Sequence, residues 1–217
     1  MARVPLESRD REQGGNMTDR VTLYSNPMSR GRTVQWLLDE LGAPYDLKVL
    51  DLAKREHKSA EYLAINPMGK VPAIVHRGVV VTEAAAICVY LADAFPKAGL
   101  APKLDDPKRG TYLRWIFFGV GCFEPAVIDK MFARPPVERP GAIGYGTYET
   151  MLAVLATALT PGPWILGERF SAADVFVGSQ LNFALMTKAI EPTPVFQAYV
   201  DRIAARPALQ KLLKGAQ

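Results

Sequence analysis

The stretch with the most chemical content is Asn66-Pro67-Met68-Gly69-Lys70-Val71-Pro72-Ala73-Ile74, in which a proline interrupts a β-strand pattern. Proline inside a strand removes a ladder donor and is normally excluded. A cis Val71-Pro72 bond explains the exception, because the tight turn it makes leaves the Val71 backbone N–H and C=O free to pair with an extended peptide. An edge strand carrying a trans proline explains it equally, and these residues alone do not separate the two. Other reactive sets are sparse. Cys88 and Cys122 lie far apart in helical stretches, without CxxC spacing or a histidine cluster, and read as two buried free thiols. With only two histidines in the chain, no imidazole metal site is expected.

The elements that must position this segment can be read from hydrophobic period. Residues 1–19 are polar and aperiodic and read as a disordered extension, within which Met17 offers an alternative start. From Val21 the run VTLYS is a short strand. Val34, Leu37, Leu38 and Leu41 then recur at helical spacing until Gly42 and Pro44 end the helix. YDLKVL alternates Tyr45, Leu47 and Val49 against Asp46 and Lys48, the pattern of a half-buried strand. SAEYLAI forms a short helical piece, and VPAIVH and VVV face each other across Arg77-Gly78 at hairpin length. A helix from about Glu83 to Phe95 presents Ala84, Ile87, Cys88 and Leu91 on one face. The order is βαβαββα over residues 20–96.

Residues 97–107 are rich in proline and polar side chains and read as a linker, after which 108–217 carry helical patterns only. These helices contain RGTYLRWIFFGVG, the face Tyr148, Met151, Leu152, Leu155 and Leu159, the span from Ala172 to about Lys188, and the face Phe196, Tyr199, Val200 and Ile203. At FSAADV, Ser171 and Asp174 have the spacing of a capping box, with Phe170 and Val175 as its staple.

Composition narrows the function classes. Lys plus Arg exceeds Asp plus Glu by 26 to 22, and the basic residues are scattered without interleaved aromatics, which argues against nucleic acid and suits an anionic small molecule. No apolar run reaches the roughly 18 to 20 residues of a spanning helix, and the first residues lack a secretory h-region, so no membrane association and a cytoplasmic location are expected.

The βαβαββα order, the NPMGKVP proline before the third strand and the all-helical second half together resemble the soluble glutathione transferase superfamily from Val21 to Leu213. The resemblance implies an α/β thioredoxin-like domain followed by an all-α domain, glutathione as co-substrate, no metal, and a homodimer. It implies a cis Pro72, with Val71 pairing the cysteinyl backbone of glutathione. MSRGRTVQWLLDELGAPYD is most similar to bacterial and fungal members in which a serine precedes the first helix, and Ser29 stands there. A hydroxyl at a helix start can donate to a thiolate, and the macrodipole favours the same charge. Ser29 as a mere N-cap is the competing reading. Tyr24 is a rival activator, although two residues farther from Arg30-Gly31-Arg32 than in tyrosine-type members, and Arg30 or Arg32 can also serve the thiolate. No cysteine occupies this loop, which argues against the mixed-disulfide classes.

For the rest of the site the family places Glu-Ser where this chain has Glu83-Ala84, to hold the γ-glutamyl end. Glu83 matches, and Ala84 lacks the hydroxyl but leaves the helix-start N–H for an anion. His57, nine residues before Asn66, is placed for the glycine carboxylate or is a surface residue; Lys58 is its alternative, and Lys70 belongs to the family motif. Tyr112, Trp115 and Phe118 are expected to wall an apolar electrophile pocket, or to be core. The implied function is conjugation of the glutathione thiolate to a small apolar electrophile. Glutathione-dependent disulfide or peroxide reduction is a second reading, and a non-catalytic glutathione-binding regulator, kept open by Ala84, is a third.

Overall fold

A computed structural model describes residues 19–135 and 138–215. The expectation for residues 1–19 therefore lies, Asp19 excepted, outside the described residues.

The first unit runs β1 (Val21–Ser25), α1 (Gly31–Leu41), β2 (Tyr45–Val49), α2 (Ala60–Ile65), β3 (Ala73–His76), β4 (Val79–Thr82) and α3 (Ala84–Ala94). Its sheet has the order β2-β1-β3-β4, with β1 and β2 parallel and both other pairings antiparallel. Val21, Leu23 and Ile74 turn one face of this sheet to α1 and α3, and Val34, Leu37, Leu38, Leu41, Ile87, Cys88 and Leu91 meet it, all buried as their helical spacing requires. Burying each leucine or isoleucine contributes about 1.5 to 3 kcal/mol, so this seam holds the unit together. The Cys88 thiol is buried within it and pushed up to about 12, whereas Cys122 is only half-buried. Arg77 and Gly78, at φ 50° and 75°, make the tight hairpin turn between β3 and β4.

One strand departs from its pattern. Leu47 and Val49 are 39% and 54% exposed, because β2 is an edge strand and only Tyr45 reaches Gln35 and Asp39 of α1. The alternation specifies a face, and what covers that face is decided elsewhere in the chain.

The second unit is helical: α4 (Lys108–Phe118), α5 (Glu124–Met131), α6 (Tyr148–Leu159), α7 (Ala172–Met186), α8 (Pro194–Ala204) and α9 (Pro207–Lys214). α4 passes into α5 through a π-helical turn, Gly119–Phe123. α5 and α9, eight residues each, lie outside the helical faces read from the sequence. None of the described helices is long and apolar enough to cross a membrane. At the capping box, the Ser171 N–H donates to the Asp174 carboxylate at 2.9 Å. The Phe170 ring packs against Trp164 and against Trp36 of α1.

His76 is buried in β3, with Nδ1 3.0 Å from the Tyr90 hydroxyl, its ring stacked on Phe95, and Nε2 without a partner among the described residues. Burial, reinforced by the neighbouring Arg77 cation, holds its pKa below the ordinary value. As pH falls, the unfolded chain takes up this proton first. Stability is thus full above about pH 6.5 and declines as pH drops toward the folded-state value. His76→Phe is expected to flatten the pH dependence of urea unfolding between about pH 5 and 7, and an unchanged slope would contradict this.

Candidate functional site

The sheet topology brings four loops to one end. β1 and β2 run parallel, so the segment toward Ser29 and the turn carrying His57 leave at the same edge. β3 runs the other way and enters there after Pro72, and β4 returns to it at Glu83. Tyr24, Ala73 and Thr82 lie side by side across the three adjoining strands. Two helix starts, those of α1 and α3, open at this end, each offering partial positive charge and N–H groups to an anion.

The Val71-Pro72 bond is cis. Asn66 organises the loop before it: its Oδ1 accepts the Met68 N–H at 3.1 Å and its Nδ2 donates to the Lys70 carbonyl at 2.8 Å. The Tyr62 hydroxyl donates to the same carbonyl at 2.5 Å. Gly69 has φ 57°, and a Cβ there would stand 2.7 Å from the His57 carbonyl, so only glycine lets the His57 turn close on this loop. The Val71 N–H and C=O have no backbone partner among the described residues. Lys70 is exposed, and Lys58 donates to the Met68 carbonyl at 3.0 Å. His57, in the 3-10 turn Glu56–Lys58, is half-buried with an unpartnered, buried Nδ1. His57, Lys58, Lys70 and Val71 thus form one neighbourhood.

Ser29 precedes α1 by two residues. Its hydroxyl donates to the Asn26 carbonyl at 2.7 Å and accepts the Gly31 N–H at 3.0 Å. Gly31 permits the close approach of α1 to β1, since a Cβ would lie 1.9 Å from Ser25 Oγ and 3.1 Å from Ser25 Cα. Tyr24 is half-buried with its ring 5.6 Å from that of Tyr62. Arg30 is engaged with Glu124 at the start of α5, a partner 94 residues away that nothing in the local sequence announces. Its role as a glutathione ligand therefore competes with an ion pair already made.

Glu83 precedes α3 at φ 66°, a conformation that costs an L residue about 1 to 3 kcal/mol and recurs at ligand sites. Its side chain is exposed and does not cap the helix, and Ala84 begins the helix behind it. The expected electrophile wall is corrected in part. Tyr112 and Trp115 lie in the core, because α4 turns this face to α3 and α7, and burial pushes the Tyr112 phenol well up. Phe118 is half-buried, its ring edge-on to Trp115 at 5.1 Å, and Phe117 is the exposed aromatic of this helix. Sequence reasoning also missed Asn26 and Asn66. For Asn66, the Asn-Pro pair is itself the signal of a side chain folded onto its own turn.

Among the described residues no group of three His, Cys, Asp or Glu gathers as a metal site. The arrangement offers backbone pairing for an extended peptide, two helix starts for anions, and a hydroxyl at one of them. Residues 19–93 match the glutathione S-transferase N-terminal domain model and residues 128–212 the C-terminal domain model. A disulfide-bond oxidoreductase, YfcG of Escherichia coli strain K12, is 30% identical over 91% of this chain and 96% of its own. The glutathione S-transferase GstA of Escherichia coli O157:H7 is 29% identical over 82% of this chain and 90% of its own. A glutathione transferase homolog from Sulfitobacter, solved with bound glutathione, superposes with a TM-score of 0.73 at 27% identity, covering 91% of this chain and 99% of that one. Two consecutive domain matches, full-length relatives and the same fold leave one assignment: the chain belongs to the glutathione S-transferase superfamily.

Proposed function

We propose that the protein binds glutathione at this end of the sheet and transfers its thiolate to a small apolar electrophile. The observation that carries the reading is the convergence of Ser29, Val71 and Glu83 at two helix starts and a cis proline. Val71 pairs the extended tripeptide, the N–H groups of Ala84 and the start of α3 receive the γ-glutamyl carboxylate beside Glu83, and His57 with Lys70 faces the glycine end. Ser29 turns its hydroxyl from the Asn26 carbonyl to the sulfur. That exchange is favourable, since a neutral hydrogen bond of about 1 kcal/mol is replaced by one to a charged group of about 1.5 to 3 kcal/mol. The thiol proton goes to solvent, the sulfur forms a C–S bond, and the leaving group departs with its electron pair. The proposal extends to a serine-type member, acting as a cytoplasmic homodimer with one site per subunit.

A second reading rests on the YfcG relative, named a disulfide-bond oxidoreductase: two glutathione molecules reduce one disulfide and leave as oxidised glutathione. The protein is expected to be retained on immobilised glutathione and eluted by the free tripeptide. Product analysis then separates thioether formation from release of oxidised glutathione. A chain that is not retained is a scaffold, and the proposal fails.

A further inference from the structure

We propose that Glu124 is a positioning residue for the thiolate loop, holding Ser29 in place through the Arg30 side chain; the inference rests on Ser29 acting on the glutathione sulfur. The helix from Lys108 to Met131 is interrupted by one π-helical turn, in which the Gly119 carbonyl accepts the Glu124 N–H. The extra residue rotates everything after it by about 100° relative to a regular helix, so it decides which way Glu124 points. Gln180 of α7 fixes both parts of this turn: its Nε2 donates to the Gly119 carbonyl at 3.2 Å and lies 3.4 Å from Glu124 Oε2. The contact requires Gly119, where a Cβ would stand 2.6 Å from Gln180 Oε1 and 2.8 Å from the Phe176 ring. Glu124 then offers its other oxygen, Oε1, to Arg30.

The result is a line of contacts from the core helix α7 to the residue directly after Ser29. As a stability element it is weak, because the two side chains are 52% and 29% exposed and such pairs contribute little. As a positioning element it matters. When Ser29 turns to the sulfur it gives up its donation to the Asn26 carbonyl, and the anchored Arg30 then joins the Asn26 side chain, which donates to the Leu50 carbonyl and accepts the Met28 N–H, in keeping the loop in register. Displacements of about 1 Å at a reacting centre cost up to 100-fold in rate. Glu124 carries the same sign of charge as the thiolate, so it acts through Arg30 and not on the sulfur.

The test measures kcat, KM for glutathione and the thiol titration of bound glutathione in wild type, Ser29→Ala, Glu124→Gln and the exchanged pair Arg30→Glu with Glu124→Arg. Thermal melts accompany them. Glu124→Gln is expected to lower kcat about tenfold with KM changed less than about twofold, to raise the thiol titration midpoint, and to melt like wild type. The exchanged pair is expected to recover most of the lost rate. A Glu124→Gln protein with unchanged kcat and titration overturns the proposal. So does an exchanged pair no better than Glu124→Gln, which would assign Arg30 a direct action of its charge on the sulfur. If Ser29→Ala alone disturbs the titration, only the Glu124 inference fails. If wild type shows no depressed titration, the activation reading falls and this one with it.

Discussion

Asp174→Ala is expected to lower the unfolding free energy by about 4 kcal/mol or more, a large share of the 5 to 15 kcal/mol available to a protein. The carboxylate is fully buried and accepts four hydrogen bonds: from the Ile165 N–H at 2.7 Å, the Ser171 N–H at 2.9 Å, the Ser171 hydroxyl at 2.9 Å and the Tyr199 hydroxyl at 2.8 Å. Burial pushes the Asp174 carboxyl up while the four donors pull it toward the ionised form. Alanine leaves these donors unsatisfied in the interior, at about 1 to 3 kcal/mol for each that water cannot reach. It also detaches the start of α7 from the 164–167 turn and from α8 at once. Asp174→Asn keeps the shape and part of the acceptance, so its loss should be smaller. Urea unfolding of the three proteins checks this, and a loss below about 1.5 kcal/mol for alanine would show that the hub is not holding these elements together.

Arg206→Met comes second, with an expected loss of about 3 to 5 kcal/mol, because it strands a buried carboxylate. Glu40 of α1 has only 6% of its side chain exposed and is gripped by Arg206 through two bonds of 2.6 and 2.7 Å. Trp36 Nε1 adds a third at 2.9 Å. The guanidinium lies 3.5 Å over the Phe170 ring, so the clamp ties α1 of the first unit to the start of α9 through an aromatic layer. Methionine keeps the apolar stem and removes the charge. The double variant Arg206→Met with Glu40→Gln should be more stable than Arg206→Met alone, since no unpaired charge remains. A double-mutant cycle gives the coupling directly, and additive losses would contradict the clamp.

Features with a local cause were legible in the sequence. The α1 face Val34, Leu37, Leu38 and Leu41, the Arg77-Gly78 hairpin and the Ser171–Asp174 box each follow from neighbouring residues, and the structure forms all three. The sheet order β2-β1-β3-β4 was not derivable from the pattern of strands alone. Features with a distant cause were illegible. Leu47 and Val49 lie open because none of the described helices covers the β2 edge, and Tyr112 and Trp115 are core because α3 and α7 cover them. Arg30 meets Glu124, and Glu40 meets Arg206 at a separation of 166 residues; no period or motif encodes such a meeting. The candidate site divides along the same line. Its loops were visible as Asn-Pro, Val-Pro and a serine before a helix, while their gathering at one end of the sheet required the topology.

The measurement that bears most directly on the central claim is the ultraviolet difference spectrum of the bound glutathione thiolate across pH, in wild type and in Ser29→Ala. The account predicts that the thiol of bound glutathione ionises below its value in free solution, and that the midpoint rises by about one unit or more when the hydroxyl is removed, which corresponds to at least about 1.4 kcal/mol of lost preference for the thiolate. Glutathione that binds with an unshifted thiol in both proteins would contradict it.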